Sequence, residues 1–594
     1  MKADIARDGT RDRFGLAAPF GKLTVNWLKI CAVLLIGAVY AARPSDRVAE
    51  AYFFWRHDLP VLIAMVLATA ALGWPAAQRL LSRRWPALSA RLIVLALAAV
   101  CLVVGSVGST LVFDNYTLSL DEFMANFDAR IFARGDLMAP IAPTWQPFAP
   151  ALQPMFDLPV PEGDYWASAY LPVNAGMRAL GRIGGVEWLV NPLLSAFSIV
   201  ATWAVARRLW PDRPDRALIA AALLGTSAQL IVMAMTAYSM PGHLAFNLAW
   251  LWLFLRGGRL GHAAAIVVGL FATGMHQLLF HPVFAAPFVL QLWLDRRWTL
   301  AAVYTLAYAV IGVFWVEYWQ IELRLLGESQ EDAGSLGHGW LVERTLDVLN
   351  GVRIDNIGAM GESLMRFVTW QNLLAAPLAV IGGVAAFREK GHLRALALGV
   401  ILTLIAMLIL MPTQTHGWGY RYAHGLLASA CLIGAVAWSQ LTDGLPPGAQ
   451  AAARGGLVVA SLVSLLVLAP IRAWQAWSYV RPYDLADRQI RTAPAKVVII
   501  DHEGPLGFNP GTVVRNDPFL GPGQPKVMQL SYMNEALMRQ VCAMGAIEVF
   551  GGANAAAAGI DTAASRPEPQ VVRLRVLMAR LRCGTPMPLL HPRA

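Results

Sequence analysis

The chain has 594 residues, of which 57% are apolar and only 14% charged, and its formal net charge is +10 at pH 7. Soluble domains normally carry about 25% charged residues, so this composition excludes an ordinary soluble protein. The positive charge follows from the membrane topology argued below, and no nucleic-acid partner is needed to explain it.

Apolar runs close to the ~20 residues that cross a bilayer recur along most of the chain. Because the backbone must satisfy its own hydrogen bonds in lipid, each run predicts a transmembrane helix. We therefore predict an α-helical, multi-pass membrane protein with about 13 spans. The predicted spans are residues 23–42, 59–72, 92–112, 188–206, 217–237, 244–255, 263–279, 282–294, 300–319, 373–387, 396–411, 422–438 and 457–474.

Lysine and arginine are concentrated in alternate connections between these spans, which predicts that those connections lie in the cytoplasm together with the amino end. The remaining connections face outward, and functional residues are expected in the long ones. The long outward segments are residues 113–187, 320–372 and 475–594.

Three regions follow from this order. Residues 1–91 form a cytoplasmic tail with two leading spans, and residues 92–474 form a membrane domain with the first two outward loops. Residues 475–594 contain strand-like runs at 497–500, 526–530 and 546–550 and a helical run at 532–544, separated by Gly/Pro-rich turns. This pattern predicts a small α/β domain on the periplasmic side. Two of the five cysteines, Cys542 and Cys583, fall in this domain, and the sequence leaves open whether they pair.

The first outward loop opens with an acidic pair, Asp121 and Glu122, followed by apolar residues at helical spacing. This pattern predicts an amphipathic helix at the membrane surface. Acidic residues in a first helical turn often act only as caps, because carboxylates are favoured at the positive end of a helix. The loop alone therefore leaves capping and chemistry as alternatives.

Three short motifs occur in order along the membrane domain: Asp121-Glu122 through Gly135-Asp136, then Tyr170-Leu171-Pro172, then Gly419-Tyr420-Arg421-Tyr422. They resemble the GT-C glycosyltransferases that use polyprenyl-phosphate sugars. The nearest likeness is to family 39, which includes protein O-mannosyltransferases and the lipid A aminoarabinose transferase. The two leading spans depart from the usual family pattern.

The resemblance implies roles for the motif residues. Asp121 matches the catalytic acidic position and is expected to be the general base that takes a proton from an acceptor hydroxyl. Glu122 would orient Asp121 or bind a metal. Arg421, with Tyr420 and Tyr422, would bind the donor phosphate, although an interfacial arginine flanked by aromatic residues is an equally simple reading.

Several histidines are predicted near the outer ends of spans. Some relatives bind a divalent metal through a carboxylate and histidines, so the resemblance makes Glu122, His276, His281 and His416 candidate metal ligands. A single histidine there is more often a packing residue. Further candidates for the site are Asp128, Arg130 and His243.

The function implied is transfer of a sugar from a polyprenyl-phosphate donor to an envelope glycan, lipid or protein, at the periplasmic face of a bacterial inner membrane. The partners would be the donor lipid, the acceptor and membrane lipids. An O-antigen ligase or polymerase is one alternative, and it would not depend on Asp121. A transporter or flippase is another, but it should carry ionisable residues deep in its spans, and most charges here lie at span ends.

Overall fold

The computed structural model describes most of the chain. The described residues are 19–41, 48–82, 88–153, 157–158, 160, 163–326, 346, 351, 355–389, 391–414, 417–501, 512–560 and 568–589.

The membrane region is built from helices numbered here in chain order. They are α1 Phe20–Ala41, α2 Val48–Phe53, α3 Leu59–Leu72, α4 Pro75–Leu81, α5 Ala90–Leu111, α6 Leu120–Phe132, α7 Ala149–Leu152, α8 Val173–Ile183, α9 Val190–Leu209, α10 Pro214–Gly225, α11 Ala228–Ala234, α12 Met240–Arg256, α13 Gly258–Thr273, α14 Phe280–Leu294, α15 Trp298–Leu326, α16 Asp355–Thr369, α17 Ala375–Arg388, α18 His392–Leu410, α19 Leu427–Thr442, α20 Pro447–Val463 and α21 Ala469–Arg491. A π-helical segment, Phe54–Asp58, joins α2 to α3.

Each predicted span coincides with one of these helices or with a pair of them. Within the described ranges, eight helices are long and apolar enough to cross a membrane. A ninth span results if α10 and α11, which meet at a bend of 56°, are counted together. The other four predicted spans fall on α12, α13, α14 and α17, which have 14 to 17 residues. The predicted fold class, an α-helical multi-pass membrane protein, is confirmed.

The first outward loop folds into a compact unit rather than an extended connection. After α5, Asp114 and Asn115 adopt positive φ angles of 51° and 56°, which turns the chain toward α6. A short antiparallel pair, β1 Ala139–Pro140 and β2 Tyr165–Trp166, closes the middle of the loop. Helix α8 then packs along α6 and leads into α9. Helix α6, which lies in this loop, is the amphipathic helix predicted from the sequence.

The last transmembrane helix is much longer than a bilayer is thick. Helices α20 and α21, with a π-helical turn between them, form a continuous helix of 45 residues, Pro447–Arg491. At 1.5 Å per residue it extends about 68 Å, against about 30 Å for the hydrocarbon layer. Its carboxyl end therefore projects from the membrane, and Arg488 there pairs with Asp114 at the exit of α5.

The carboxyl-terminal domain is an α/β domain, as predicted. It consists of a four-stranded parallel sheet with helices. Its strands lie in the order β4, β3, β5, β6. The elements are β3 Val497–Asp501, β4 Lys526–Gln529, α22 Glu535–Ala543, β5 Ile547–Gly551, α23 Gly552–Ala558, α24 Pro569–Leu581 and β6 Thr585–Pro586. Cys542 and Cys583, whose pairing the sequence left open, form a disulfide.

The central strand of this sheet is buried on both faces, so the domain is part of the main body. Alternate residues of a strand point to opposite faces. Val498 and Ile500 join the hydrophobic cluster that contains Val480 of the long helix. Val497 and Ile499 join a second cluster, which contains α6 residues such as Phe127. The domain therefore packs against the long helix on one face of the sheet and against α6, which carries Asp121, on the other.

Candidate active site

Glu122 anchors the first turn of α6. It forms a capping box with Ser119: the Ser119 hydroxyl accepts a hydrogen bond from the Glu122 N–H at 3.2 Å, and Glu122 Oε2 accepts one from the Ser119 N–H at 3.3 Å. Glu122 Oε1 accepts a third hydrogen bond, from the Ala237 N–H at 3.0 Å. The side chain is buried, and burial raises the pKa of its carboxyl group. Glu122 thus ties α6 to the segment between α11 and α12.

Asp121, one residue earlier, makes a different set of contacts. Its Oδ1 accepts a hydrogen bond from the Tyr170 hydroxyl at 2.6 Å. Its Oδ2 forms an ion pair with Arg421 Nη1 at 2.7 Å. Consecutive residues on a helix point about 100° apart, so the two members of the acidic pair serve two sides of α6. The structure brings the predicted base and the predicted phosphate-binding arginine together.

Arg421 is held in place by its own loop. Gln414 donates a hydrogen bond to the Gly419 carbonyl at 2.7 Å and accepts one from the Arg421 N–H at 2.8 Å. Gly419 has φ = 73°, and a Cβ there would lie 2.3 Å from the Gln229 side chain. A glycine is therefore required in the turn that presents Arg421.

The Arg421 guanidinium is surrounded by aromatic hydroxyls. Nη1 donates to the Tyr238 hydroxyl at 3.2 Å, and Nη2 donates to the Tyr422 hydroxyl at 3.0 Å. Among the described residues nothing accepts a hydrogen bond from the buried Nε. A guanidinium with a donor left over can accept a further oxyanion. Tyr420, predicted beside it, lies apart, with its hydroxyl 3.6 Å from the Met360 sulfur.

Tyr170 connects Asp121 to a buried histidine. Its ring stacks on His276 with the ring centroids 4.1 Å apart. Burial and the nearby Asp121 charge raise the pKa of Tyr170 well above its usual value, so the hydroxyl stays a neutral donor. Within the described parts of the chain, neither His276 ring nitrogen has a hydrogen-bond partner. The sequence motif contains Tyr170, but only the fold assigns it to Asp121.

The predicted metal ligands do not form a site among the described residues. Those residues contain no group of three or more His, Cys, Asp or Glu side chains able to hold a metal ion. His281 uses both ring nitrogens, with Asn247 at 2.7 Å and Tyr308 at 2.6 Å. Both Glu122 oxygens have protein partners, as described above. His416 lies outside the described residues, so a metal stays a prediction.

The other predicted candidates are distributed around the site. Asp128 is buried and accepts a hydrogen bond from the Ser168 N–H at 2.9 Å. His243 is buried against the Phe280 ring, with the ring centroids 4.9 Å apart. Arg130 pairs with Asp517 of the carboxyl-terminal domain at 3.0 Å. None of the three contacts Asp121 through a hydrogen bond or ion pair in the described structure.

Arg515 of the carboxyl-terminal domain supports α6 from outside the membrane region. Its guanidinium donates to the Thr117 hydroxyl at 2.6 Å and to the Leu118 carbonyl at 3.0 Å. It also lies 5.0 Å from the centre of the Phe123 ring. These contacts fix the chain just before the acidic pair. These contacts could not be predicted from the sequence, because they join segments separated by most of the chain.

No protein-family model and no curated protein matches the chain. Among solved structures it is similar to ArnT from Cupriavidus metallidurans bound to undecaprenyl phosphate, with 16% identity, a TM-score of 0.44, and coverage of 70% of this chain and 84% of that chain. The apo ArnT structure gives 15%, 0.43, 70% and 83%. The oligosaccharyltransferase of Archaeoglobus fulgidus in complex with Zn and sulfate gives 13%, 0.38, 71% and 62%. At such identities and TM-scores these matches carry no conclusion about activity.

Proposed function

We propose that this protein is a membrane glycosyltransferase that moves a sugar from a polyprenyl-phosphate donor to an envelope acceptor. The observation that carries the proposal is the contact of Asp121 with both Arg421 and Tyr170 at the start of a surface helix. A general base and a phosphate-binding cation are the two groups that this reaction requires. The family resemblance of the sequence motifs that contain Asp121 and Arg421 implies the class of donor.

Donor binding would change the Asp121–Arg421 ion pair. A phosphate oxygen that approaches Arg421 competes with Asp121 Oδ2 for Nη1 and can also take the unpartnered Nε. The Tyr238 and Tyr422 hydroxyls keep the guanidinium in position during this exchange. Tyr170 keeps hold of Oδ1, so Oδ2 becomes available as a proton acceptor.

The proposed reaction is a single displacement with inversion. The acceptor hydroxyl oxygen forms a bond to the anomeric carbon of the sugar while the bond from that carbon to the phosphate oxygen breaks. The hydroxyl proton passes to Asp121. The electron pair of the broken bond leaves on the polyprenyl phosphate, whose added charge Arg421 stabilises.

The proposal places the site on the periplasmic side of the inner membrane. The basic cytoplasmic connections of the sequence support this orientation. The Cys542–Cys583 disulfide supports it too, because disulfides persist in oxidising compartments and this domain packs against α6. Thiol labelling of an Asp136→Cys variant in intact cells tests it. Labelling only after the inner membrane is opened would contradict it.

The central test is sugar transfer by the purified full-length protein from labelled polyprenyl-phosphate sugars to envelope extracts. We expect Asp121→Asn to lower transfer about 10²- to 10⁴-fold, the range usual for loss of a general base. The matched control is Asp215→Asn, which also removes a carboxylate paired with an arginine, Arg213 at 2.7 Å, but on an exposed connection. Transfer by Asp121→Asn at the control rate would refute the proposal.

A further inference from the structure

Two adjoining clefts run from the first turn of α6 to the carboxyl-terminal domain. The first, of about 320 Å³, follows one side of α6 from Glu122 past Asn126 to Arg130. The second, of about 530 Å³, lies between Arg130 and the 515–526 segment of the carboxyl-terminal domain. Arg130 and Arg182 line both clefts, so the two form one groove.

The groove is lined by more basic than acidic side chains. The basic residues are Arg130, Arg178, Arg182, Arg491, Arg515 and Lys526, and we call this surface the basic groove. The acidic lining residues are Glu122, Glu187 and Asp517. Positive charges collected around one cleft raise the local concentration of anions.

Part of this charge has a structural explanation. Arg515 is used on Thr117 and Leu118, and Lys526 donates to the Gly521 and Gln524 carbonyls at 2.7 and 3.1 Å. Buried Arg178 pairs with Glu187 at 3.1 Å. Because these three cations bind protein groups in the walls of the groove, we do not count them as ligand-binding residues.

The other three arginines remain partly open to the groove. The exposed fraction of the side chain is 43% for Arg182, 32% for Arg130 and 31% for Arg491. In the described part of the chain the buried Nε of Arg130 has no hydrogen-bond partner. Burial, together with the charges of Arg182 and Arg491, lowers the pKa of Arg130. Each of the three already pairs with one carboxylate, Arg130 with Asp517, Arg182 with Glu187 and Arg491 with Asp487. Their exposed surfaces in the groove are free to add contacts with a bound anion.

We propose that the basic groove binds a phosphate-bearing part of the acceptor, through Arg130, Arg182 and Arg491. This rests on the proposed function, which places the donor phosphate at Arg421 on the Asp121 side of α6. The groove begins at Glu122, on the neighbouring side of the same helical turn, and leads away toward the carboxyl-terminal domain. An acceptor held there by its phosphates would present its hydroxyl beside Asp121. The phosphate can belong to a lipid headgroup or to a phosphorylated glycan.

The test uses the full-length protein in nanodiscs of phosphatidylcholine, with inorganic tripolyphosphate as the probe in isothermal titration calorimetry. The Arg182→Gln/Arg491→Gln double variant removes two partly exposed guanidinium groups, which pair with Glu187 and Asp487, and leaves the Arg130–Asp517 pair intact. We expect its affinity for tripolyphosphate to fall at least about tenfold, since charge-assisted contacts of arginine with phosphate are lost. The matched control is Arg539→Gln, an exposed arginine near Glu535 on α22, and it should bind as the wild type does.

A second measurement identifies the source of the phosphate. Native mass spectrometry of protein extracted from phosphatidylglycerol membranes counts the lipids that stay bound. Loss of a retained lipid in the double variant assigns the groove to a lipid headgroup. Equal lipid retention, with weaker tripolyphosphate binding, assigns it to a phosphorylated glycan. Equal tripolyphosphate affinity and equal lipid retention in the wild type and the double variant would overturn the inference.

The outcome is separable from that of the proposed function. Asp121→Asn should lose transfer and still bind tripolyphosphate. If the wild type binds no tripolyphosphate and retains no lipid while transfer depends on Asp121, only the groove assignment fails. If the groove binds the probe while transfer does not depend on Asp121, only the proposed function fails.

Discussion

Asp58 and Asp121 both pair with arginines, and their surroundings differ. Asp58, in the π-helical segment between α2 and α3, pairs with Arg366 at 3.3 Å and Arg472 at 3.1 Å. It also accepts hydrogen bonds from the Thr369 hydroxyl at 3.0 Å and the Trp370 indole at 3.2 Å. Asp121 pairs with Arg421 at 2.7 Å and accepts a hydrogen bond from the Tyr170 hydroxyl at 2.6 Å.

The difference separates a structural cluster from one suited to a ligand. Asp58 draws its partners from the end of α16 and from the long helix, so it fastens the two leading spans to the rest of the protein. Each cluster keeps one arginine Nε without a partner within the described residues, on Arg472 beside Asp58 and on Arg421 beside Asp121. The Asp121 cluster also contains the stacked His276, whose two ring nitrogens have no partner there. Buried polar groups normally have partners, so this larger set of unused atoms near Asp121 indicates space for a substrate group.

The first prediction compares the two carboxylates directly and has the largest expected effect. Asp58→Asn leaves Arg366 and Arg472 facing each other without a counter-charge, which should lower the free energy of unfolding by about 3–5 kcal/mol. Asp121→Asn should lower it by only about 1–2 kcal/mol, because Arg421 keeps two tyrosine hydroxyls. Detergent-resistance and thermal unfolding measurements on both variants check this. Equal losses would show that the two clusters do not differ in this way.

The second prediction tests whether Asp121 is positioned for catalysis. Tyr170→Phe removes the 2.6 Å hydrogen bond to Asp121 and keeps the aromatic ring that stacks on His276. A hydrogen bond to a charged group contributes about 1.5 kcal/mol, so kcat should fall about tenfold. The KM for the donor should change little, because Arg421 is untouched.

Tyr304→Phe is the control for this experiment. It also removes a hydroxyl bound to one polar partner, His262 at 3.0 Å, in a part of the membrane region away from Asp121. Its kcat should match that of the wild type. A Tyr170→Phe enzyme as fast as this control would mean that the Tyr170 hydroxyl serves only packing.

The sequence predicted the elements that depend on local patterns. Hydropathy located the helices, and the strands at 497–501, 526–529 and 547–551 lie close to their predicted positions. The motifs also led to Asp121 and Arg421, which the fold places in contact. Both kinds of prediction succeed because a span or a motif is contained in a short stretch of chain.

Contacts between distant segments could not be predicted in this way. Tyr238 lies between α11 and α12, 183 residues before Arg421 in the chain, and only the folded structure brings the two together. Arg515 of the carboxyl-terminal domain donates a hydrogen bond to Thr117, which lies just before α6. The role predicted for Glu122, to orient Asp121 or bind a metal, stays a prediction. The contacts seen for its carboxylate are the capping box with Ser119 and a hydrogen bond from the Ala237 N–H, and the second of these joins distant segments.

A further carboxylate, Asp128, extends the comparison to a buried group that pairs with no arginine in the described part of the chain. Its carboxyl group is buried, accepts a hydrogen bond from the Ser168 N–H, and has the Glu322 carboxylate as a charged neighbour. Burial, followed by the negative charge of Glu322, raises the pKa of Asp128 to about 8. Asp128 is therefore protonated in the folded protein at neutral pH.

This yields the prediction with the smallest effect. Between the ordinary pKa of an aspartate and about 8, the folded state holds one more proton than the unfolded state, so the free energy of unfolding falls as pH rises. The loss should be about 1 kcal/mol from about pH 6 to pH 7. Asp128→Asn cannot ionise, so unfolding measured across this range should be about 1 kcal/mol less dependent on pH than in the wild type. An unchanged pH dependence would mean that Asp128 is ionised in the folded protein and that some cation, as at Asp58 and Asp121, balances its charge.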